Sequence, residues 1–325
     1  MRTLIVLGVV GAIAQLIDGS LGMAYGVTST TLLVAAGIAP AAASASVHFA
    51  EIGTTLASGI SHHKLGNVDW RIVRTLAVPG ALGAFAGATI LSSLPAETAT
   101  PVVGAILLTL GLYVLYRFLA LGGRRPEFRG RVRTGFLIPL GLVGGTLDSL
   151  GGGGWGPVGT TSLLSSGRVE PRKVVGSIDT SEFVVAVGGS LGFLVGLGAA
   201  GINWSYAAAL LIGGVIVAPL AAWFVKHLPA RVLGTAAGGL IVVTNSRTLL
   251  LWADAPSSAV TPILLALAAA WIAAITWAVR AERHVRARDA VERAVRDHDD
   301  DNAIDRTAIT ATGPATDKET DPART

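Results

Sequence analysis

The 325-residue chain contains no cysteine. That excludes disulfides, thiolate metal sites and a cysteine nucleophile. Charge is also scarce: Asp, Glu, Lys and Arg make up 14% of residues, against roughly 25% in soluble domains. The acids are unevenly spread. Of 21, 11 follow Arg280, leaving ten for the first 280 residues. Five of those ten (Asp18, Glu51, Asp148, Asp179, Glu182) lie in or beside apolar segments. After Met1-Arg2-Thr3 the chain turns apolar with no small-residue cleavage site, so a retained first segment is expected. The basic pI of about 9.8 does not point to nucleic acid, because the arginines cluster at segment ends, where they signal membrane orientation.

Apolar sequence dominates: 51% of residues are hydrophobic and the mean hydropathy is +0.61. Apolar runs of about 20 residues are the unit of a membrane helix. Such runs cover 41–61, 72–92, 99–120, 172–197, 205–225, 231–252 and 259–279. Two others, 3–37 and 134–167, are too long for one span. A carboxylate and glycines interrupt each: Asp18 to Gly26 in the first, Asp148 to Gly156 in the second. Both features are costly in hydrocarbon. Finding them in corresponding places of two halves points to a secondary-transporter site.

The repeat extends well past the tips. Gly37 and Pro40 match Gly167 and Pro171, Ser46 and Glu51 match Ser177 and Glu182, and Asn67–Trp70 resembles Gly201–Trp204. Leu94-Pro95 matches Leu228-Pro229, so the offset drifts only from 130 to 134. Duplication accounts for this. The expected layout is repeat 1 (1–121), a basic cytoplasmic linker (122–133), repeat 2 (134–253), an extra span (254–280) and a polar, largely disordered cytoplasmic tail (281–325).

Basic residues choose the topology. If each interrupted stretch crossed the membrane once, the arginine-rich loops would fall on both sides. If each is a re-entrant hairpin, Lys64, Arg71, Arg74, the linker arginines, Arg168, Arg172, Lys173, Lys226, Arg231 and the Arg280 cluster share one side. The opposite loops, 93–97, 198–204 and 254–258, contain no Lys or Arg. The second arrangement satisfies the positive-inside bias. It makes an all-α, multi-pass cell-membrane protein of two inverted repeats, each a broken-helix hairpin plus three spans, with one extra C-terminal helix and an external N-terminus.

Broken helices at membrane depth are tolerated where they line a cavity or are buried in protein. Free N–H groups after each tip, with Ser20, Gly22, Tyr25, Gly26, Thr28 and Thr30 in one half and Gly152, Gly154, Trp155, Gly156, Thr160 and Thr161 in the other, suit a small oxyanion. The competing reading is that these small residues only pack helices. Asp18 and Asp148 are candidate helix-tip caps or proton carriers. Glu51 and Glu182 each lie eleven positions beyond a helix-starting proline, about 16 Å along and near the midplane. With His48 and Asp179 they are candidate proton-coupling groups; a structural hydrogen-bond cluster is the alternative. His48 aligns with Asp179, so the halves are expected to bring a His and an Asp together. Asn245 and Arg247 interrupt 231–252, and Arg247 is read as a fixed positive charge facing the anion, an acid's partner, or a snorkelling side chain. His62 and His63 read as loop without a third metal ligand. Trp70, Trp204, Trp252 and Trp271 read as interfacial anchors. Gly151–Gly154 has no lysine at Walker spacing, so no ATPase is expected.

The duplicated tips (Asp18–Gly26, Asp148–Gly156), the helix starts Gly37–Pro40 and Gly167–Pro171, and Asn67–Trp70 give residues 5–253 a resemblance to the sulfite exporter TauE/SafE family. The resemblance implies a carrier of sulfite, thiosulfate, sulfoacetate or other sulfonates, coupled to the proton gradient. Ser20, Met23 and Tyr25 depart from a denser glycine pattern, and His48 and Glu51 are polar for their segment. The expectation is a transporter rather than an enzyme. It needs no cofactor or metal, takes a small anion and protons as partners in the lipid bilayer, and leaves homodimerisation open. An anion channel, a membrane scaffold and an intramembrane aspartyl enzyme are the other classes.

Overall fold

The computed structural model describes residues 2–21, 23–120, 132–166, 168–224 and 230–311. It is all-helical among these: α1 (Arg2–Leu21), α2 (Tyr25–Ala35), α3 (Pro40–Lys64), α4 (Trp70–Ser93), α5 (Ala96–Ala120), α6 (Thr134–Gly151), α7 (Thr161–Ser165), α8 (Pro171–Leu197), α9 (Trp204–Phe224), α10 (Ala230–Trp252) and α11 (Ser257–Ala311). A π-helical turn, Gly156–Thr160, leads into α7. Most of the linker (121–131) and Gly22 lie outside the described residues.

The local signals explain the boundaries. Pro40 and Pro171 open α3 and α8, where a missing N–H costs nothing. Asp69 caps α4 by accepting from Arg71 N at 3.0 Å and Ile72 N at 3.4 Å. Gly37, at φ +87°, closes α2: its N–H reaches Val34 O and that of Ile38 reaches Leu33 O. That pair of bonds with a left-handed glycine is a Schellman ending.

Among the described residues, four helices are long and apolar enough to cross a membrane: Trp70–Ser93, Ala96–Ala120, Lys173–Leu197 and Ser257–Val285. The predicted span 41–61 lies in α3, which carries buried Ser44, Ser46, His48, Glu51, Thr54 and Thr55. Its polarity faces protein rather than lipid.

Packing partners are exchanged between the halves. α1 packs on α9, and α6 on α4. Glycines let these backbones touch. A Cβ on Gly141 would sit 2.9 Å from Leu76 O, and one on Gly11 would meet Leu210 O. Small residues at close crossings are how helices associate where lipid removes the hydrophobic drive. α3 and α8 run antiparallel, with Gly59 beside Thr180 and Gly189 beside His48. α5 and α10 also run antiparallel, with Gly104 beside Leu249 and Gly238 beside Leu115. Trp70, Trp204 and Trp252 stand exposed at helix ends; Trp271 instead packs against Gly239 of α10.

The described residues of a second unit, which begins at Val279, are helical to Ala311. The segment from Ala281 to Ala311 has no glycine or proline, and Gly313-Pro314 supplies the first breaker.

Candidate transport site

The two helix breaks meet. A Cβ on Gly26 would fall 2.6 Å from Gly152 O and 2.8 Å from Glu51 Oε1, and one on Gly156 would fall 2.8 Å from Met23 Cα. Gly153 lies against the backbone of Gly26 and Val27. Thr30 Oγ1 donates to Gly152 O at 2.7 Å. Each tip is built the same way. Asp18 Oδ1 accepts from Tyr25 N at 3.2 Å, and Asp148 Oδ1 accepts from Trp155 N at 2.9 Å. Each aspartate thus holds a helix start seven residues on, satisfying a donor the break leaves free.

The tip aromatics face the scaffold rather than an open site. Tyr25 donates to Leu210 O at 3.3 Å and lies beside Gly214 of α9. Trp155 Nε1 donates to Ile178 O at 3.1 Å, and its ring lies on Gly80 of α4. Gly80 and Gly214 occupy corresponding places, so each tip is anchored by a glycine of the other half.

Around the crossing, polar groups are buried and some lack partners. Thr28 and Ser29 are fully buried, and neither hydroxyl has a hydrogen-bond partner among the described residues. Thr160 and Thr161 are buried as well; Thr161 Oγ1 donates to Pro157 O. Gly154 packs on the Leu147–Asp148 backbone. The Ser20 side chain, like Gly22, lies outside the described residues.

The five intramembrane acids converge here. Glu51 is 1% exposed, and neither carboxylate oxygen has a hydrogen-bond partner among the described residues. Glu182, half-buried on α8, lies within electrostatic reach of Glu51, Asp18, Asp148 and Asp179. Against them stands His48, fully buried. Its Nδ1 lies 2.9 Å from Ser44 O and must carry hydrogen, because a carbonyl only accepts. Nε2 therefore serves the site, 3.3 Å from Asp148 Oδ2 and 3.1 Å from Ser149 Oγ. Ser44 Oγ adds a bond to Ser149 O at 2.8 Å. Ligand atoms of His48, Glu51 and Asp148 all lie within 4.8 Å of one another, near enough to share one small cation, a proton included.

The halves bring a His and an Asp together as His48 with Asp148; the antiparallel crossing sets His48 beside Gly189 of α8. Asp179 instead lies 3.7 Å from His62 Nε2, a histidine read from sequence as loop and found in the last turn of α3. Arg247 is exposed. Asn245, two residues earlier, is 1% exposed and donates to Thr31 Oγ1 at 3.0 Å. Two positions on a helix differ by about 200°, so one reaches the tips and the other turns away. Ser149, Asn245 and His62 act through partners 101, 214 and 117 residues away, beyond any local pattern.

The profile described as "Sulfite exporter TauE/SafE" matches residues 7–248. The chain is 49% identical over 282 residues to "Probable membrane transporter protein YtnM" of Bacillus subtilis (strain 168), covering 85% of this chain and 92% of that one. It is 24% identical over 184 residues to "Probable membrane transporter protein YdhB" of the same organism, covering 56% and 74%. No solved structure matches it.

Proposed function

The chain is a membrane transporter of the sulfite exporter TauE/SafE family, and on that premise we propose that it is a proton-coupled carrier of a small sulfur-containing or organic anion. It works in the cell membrane by alternating access of two inverted repeats. Three arrangements support the repeats: the exchanged packing partners, the antiparallel α3–α8 and α5–α10 pairs, and the shared tip caps. Re-entry is supported by the limbs of each hairpin packing together at their outer ends. Leu7 clusters with Leu33 and Val34, and Val132 and Leu137 cluster with Leu163.

The observation that carries the reading is the crossing of two capped tips amid five acids and one histidine. The anion binds between the tips, on backbone N–H groups and the unpartnered hydroxyls of Thr28 and Ser29. Ionised carboxylates there would repel it strongly at low dielectric. The anion therefore enters when Glu51 and its neighbours carry protons, and that requirement ties anion movement to proton movement. Glu51 and Glu182 exchange protons with the open cavity, His48 holds Asp148, and Asp18 and Asp148 hold the tips.

The test is thermal stability of the purified protein with sulfite, thiosulfate, sulfoacetate, taurine, short carboxylates and chloride. A bound anion at a hundredfold excess over its Kd stabilises by about 2.7 kcal/mol. A shift with a sulfur oxyanion, larger at acid pH, is expected; no shift with any anion overturns the reading.

A further inference from the structure

Three buried side chains turn bare acceptors toward one another where α3 meets the second tip. His48 and Glu51 come from α3 of the first half, and Asp148 from α6 of the second. Hydrogen bonds aim two of them. His48 Nδ1–H is used on Ser44 O at 2.9 Å, so the neutral ring turns the lone pair of Nε2 into the cluster. Asp148 Oδ1 is used on Trp155 N at 2.9 Å, which leaves Oδ2 facing Nε2 at 3.3 Å. Glu51 adds two oxygens. Neither of these, nor Asp148 Oδ2, has a hydrogen-bond partner among the described residues. Ser149 Oγ, 3.1 Å from Nε2, brings one hydroxyl hydrogen to four acceptor atoms. Buried acceptors left in that state are costly, and a positive charge between them removes the cost.

The donor set and its spacing fit a metal ion. A histidine held through its other ring N–H, beside a carboxylate held through its other oxygen, is how outer partners orient metal ligands. Two zinc ligands at tetrahedral angles and ordinary bond lengths stand roughly 3.3 Å apart, which is the separation of Nε2 and Oδ2. Ligand atoms of all three residues lie within 4.8 Å of one another, and rotation of the unbonded Glu51 carboxylate shortens its share. Two carboxylates balance a divalent charge. The imidazole selects a zinc-like ion over calcium or magnesium, which take oxygen ligands. The other half differs in kind: the equivalents of His48, Glu51 and Asp148 are Asp179, Glu182 and Asp18, carboxylates without a nitrogen, and Asp179 is drawn to His62 at 3.7 Å.

We propose that His48, Glu51 and Asp148 form a binding site for a zinc-class divalent cation, which clamps α3 of the first half to the tip of the second. Transport needs no such ion. The clamp arrests it, because alternating access moves the halves against each other. The arrest rests on the function proposed above; binding of the cation does not.

Zinc ion alone is the probe, added to the purified full chain and followed by calorimetry and by X-ray absorption of the bound metal. The chain carries five further histidines, so the readout is the difference between variants. Wild type should bind one equivalent that Glu51→Gln and His48→Gln bind at least about tenfold more weakly. Glu51→Gln keeps the side chain's size and breaks no hydrogen bond among the described residues, so it tests the site even if His48→Gln fails to fold. Equal binding by wild type and Glu51→Gln overturns the site and leaves a proton to join the three acceptors. Excess calcium or magnesium should not displace this equivalent; displacement overturns the choice of cation. In proteoliposomes, zinc should slow thiosulfate counterflow through wild type at a concentration at least about tenfold lower than through Glu51→Gln; equal sensitivity overturns the clamp. A wild type that binds the extra equivalent but moves no thiosulfate upholds the site and removes the carrier reading.

Discussion

The two tips share their mechanics and differ in their chemistry. Both have an aspartate bonded to the amide seven residues on, and both have an aromatic seated on a glycine of the other half. At the second tip the aspartate also faces His48, and glycines at φ +69° and +155° make the turn. At the first, the left-handed position falls on Ala24, at φ +103°. The shared parts keep two broken helices standing in lipid. The unshared parts are a histidine–aspartate pair on one side and a left-handed alanine on the other.

Removing the aspartates should separate these roles most sharply. Asp148→Ala deletes a cap and strands buried His48, and breaking such a buried pair costs about 3–5 kcal/mol. Asp18→Ala deletes a cap alone, worth about 1 kcal/mol. Thermal denaturation in detergent should rank them in that order; equal losses would make the His48 contact incidental. A middle effect is expected on α10. Asn245→Ala removes the bond to Thr31 and should weaken anion affinity several-fold, whereas Arg247→Gln, on the exposed face, should leave it unchanged. A large Arg247 effect in a binding assay would restore that residue to the site. The smallest effect lies at the strained turn. Ala24→Gly removes a left-handed cost of about 1–2 kcal/mol per residue and should raise the melting midpoint slightly; a fall would mean the Ala24 methyl packs usefully.

Much of this was legible from the residues. Carboxylates and glycine runs are costly in apolar sequence, so Asp18, Glu51, Asp148, Asp179 and Glu182 announced themselves, and the repeat aligned the tips. The pairings were not legible. Alignment sets His48 opposite Asp179 as an equivalent, and equivalents on antiparallel helices touch only near the axis that relates them. Periodicity likewise does not say which face of α10 is inward, and so Arg247 stood in sequence for what Asn245 does in space.

The central claim is that proton and anion share the crossing through Glu51. The most direct measurement is proton movement into dye-loaded proteoliposomes when sulfite or thiosulfate is added, for wild type and Glu51→Gln. The account predicts anion-driven proton movement in the wild type and anion counterflow without proton movement in the variant. Proton movement that persists in the variant, or wild-type flux that follows a sodium gradient and ignores pH, would contradict it.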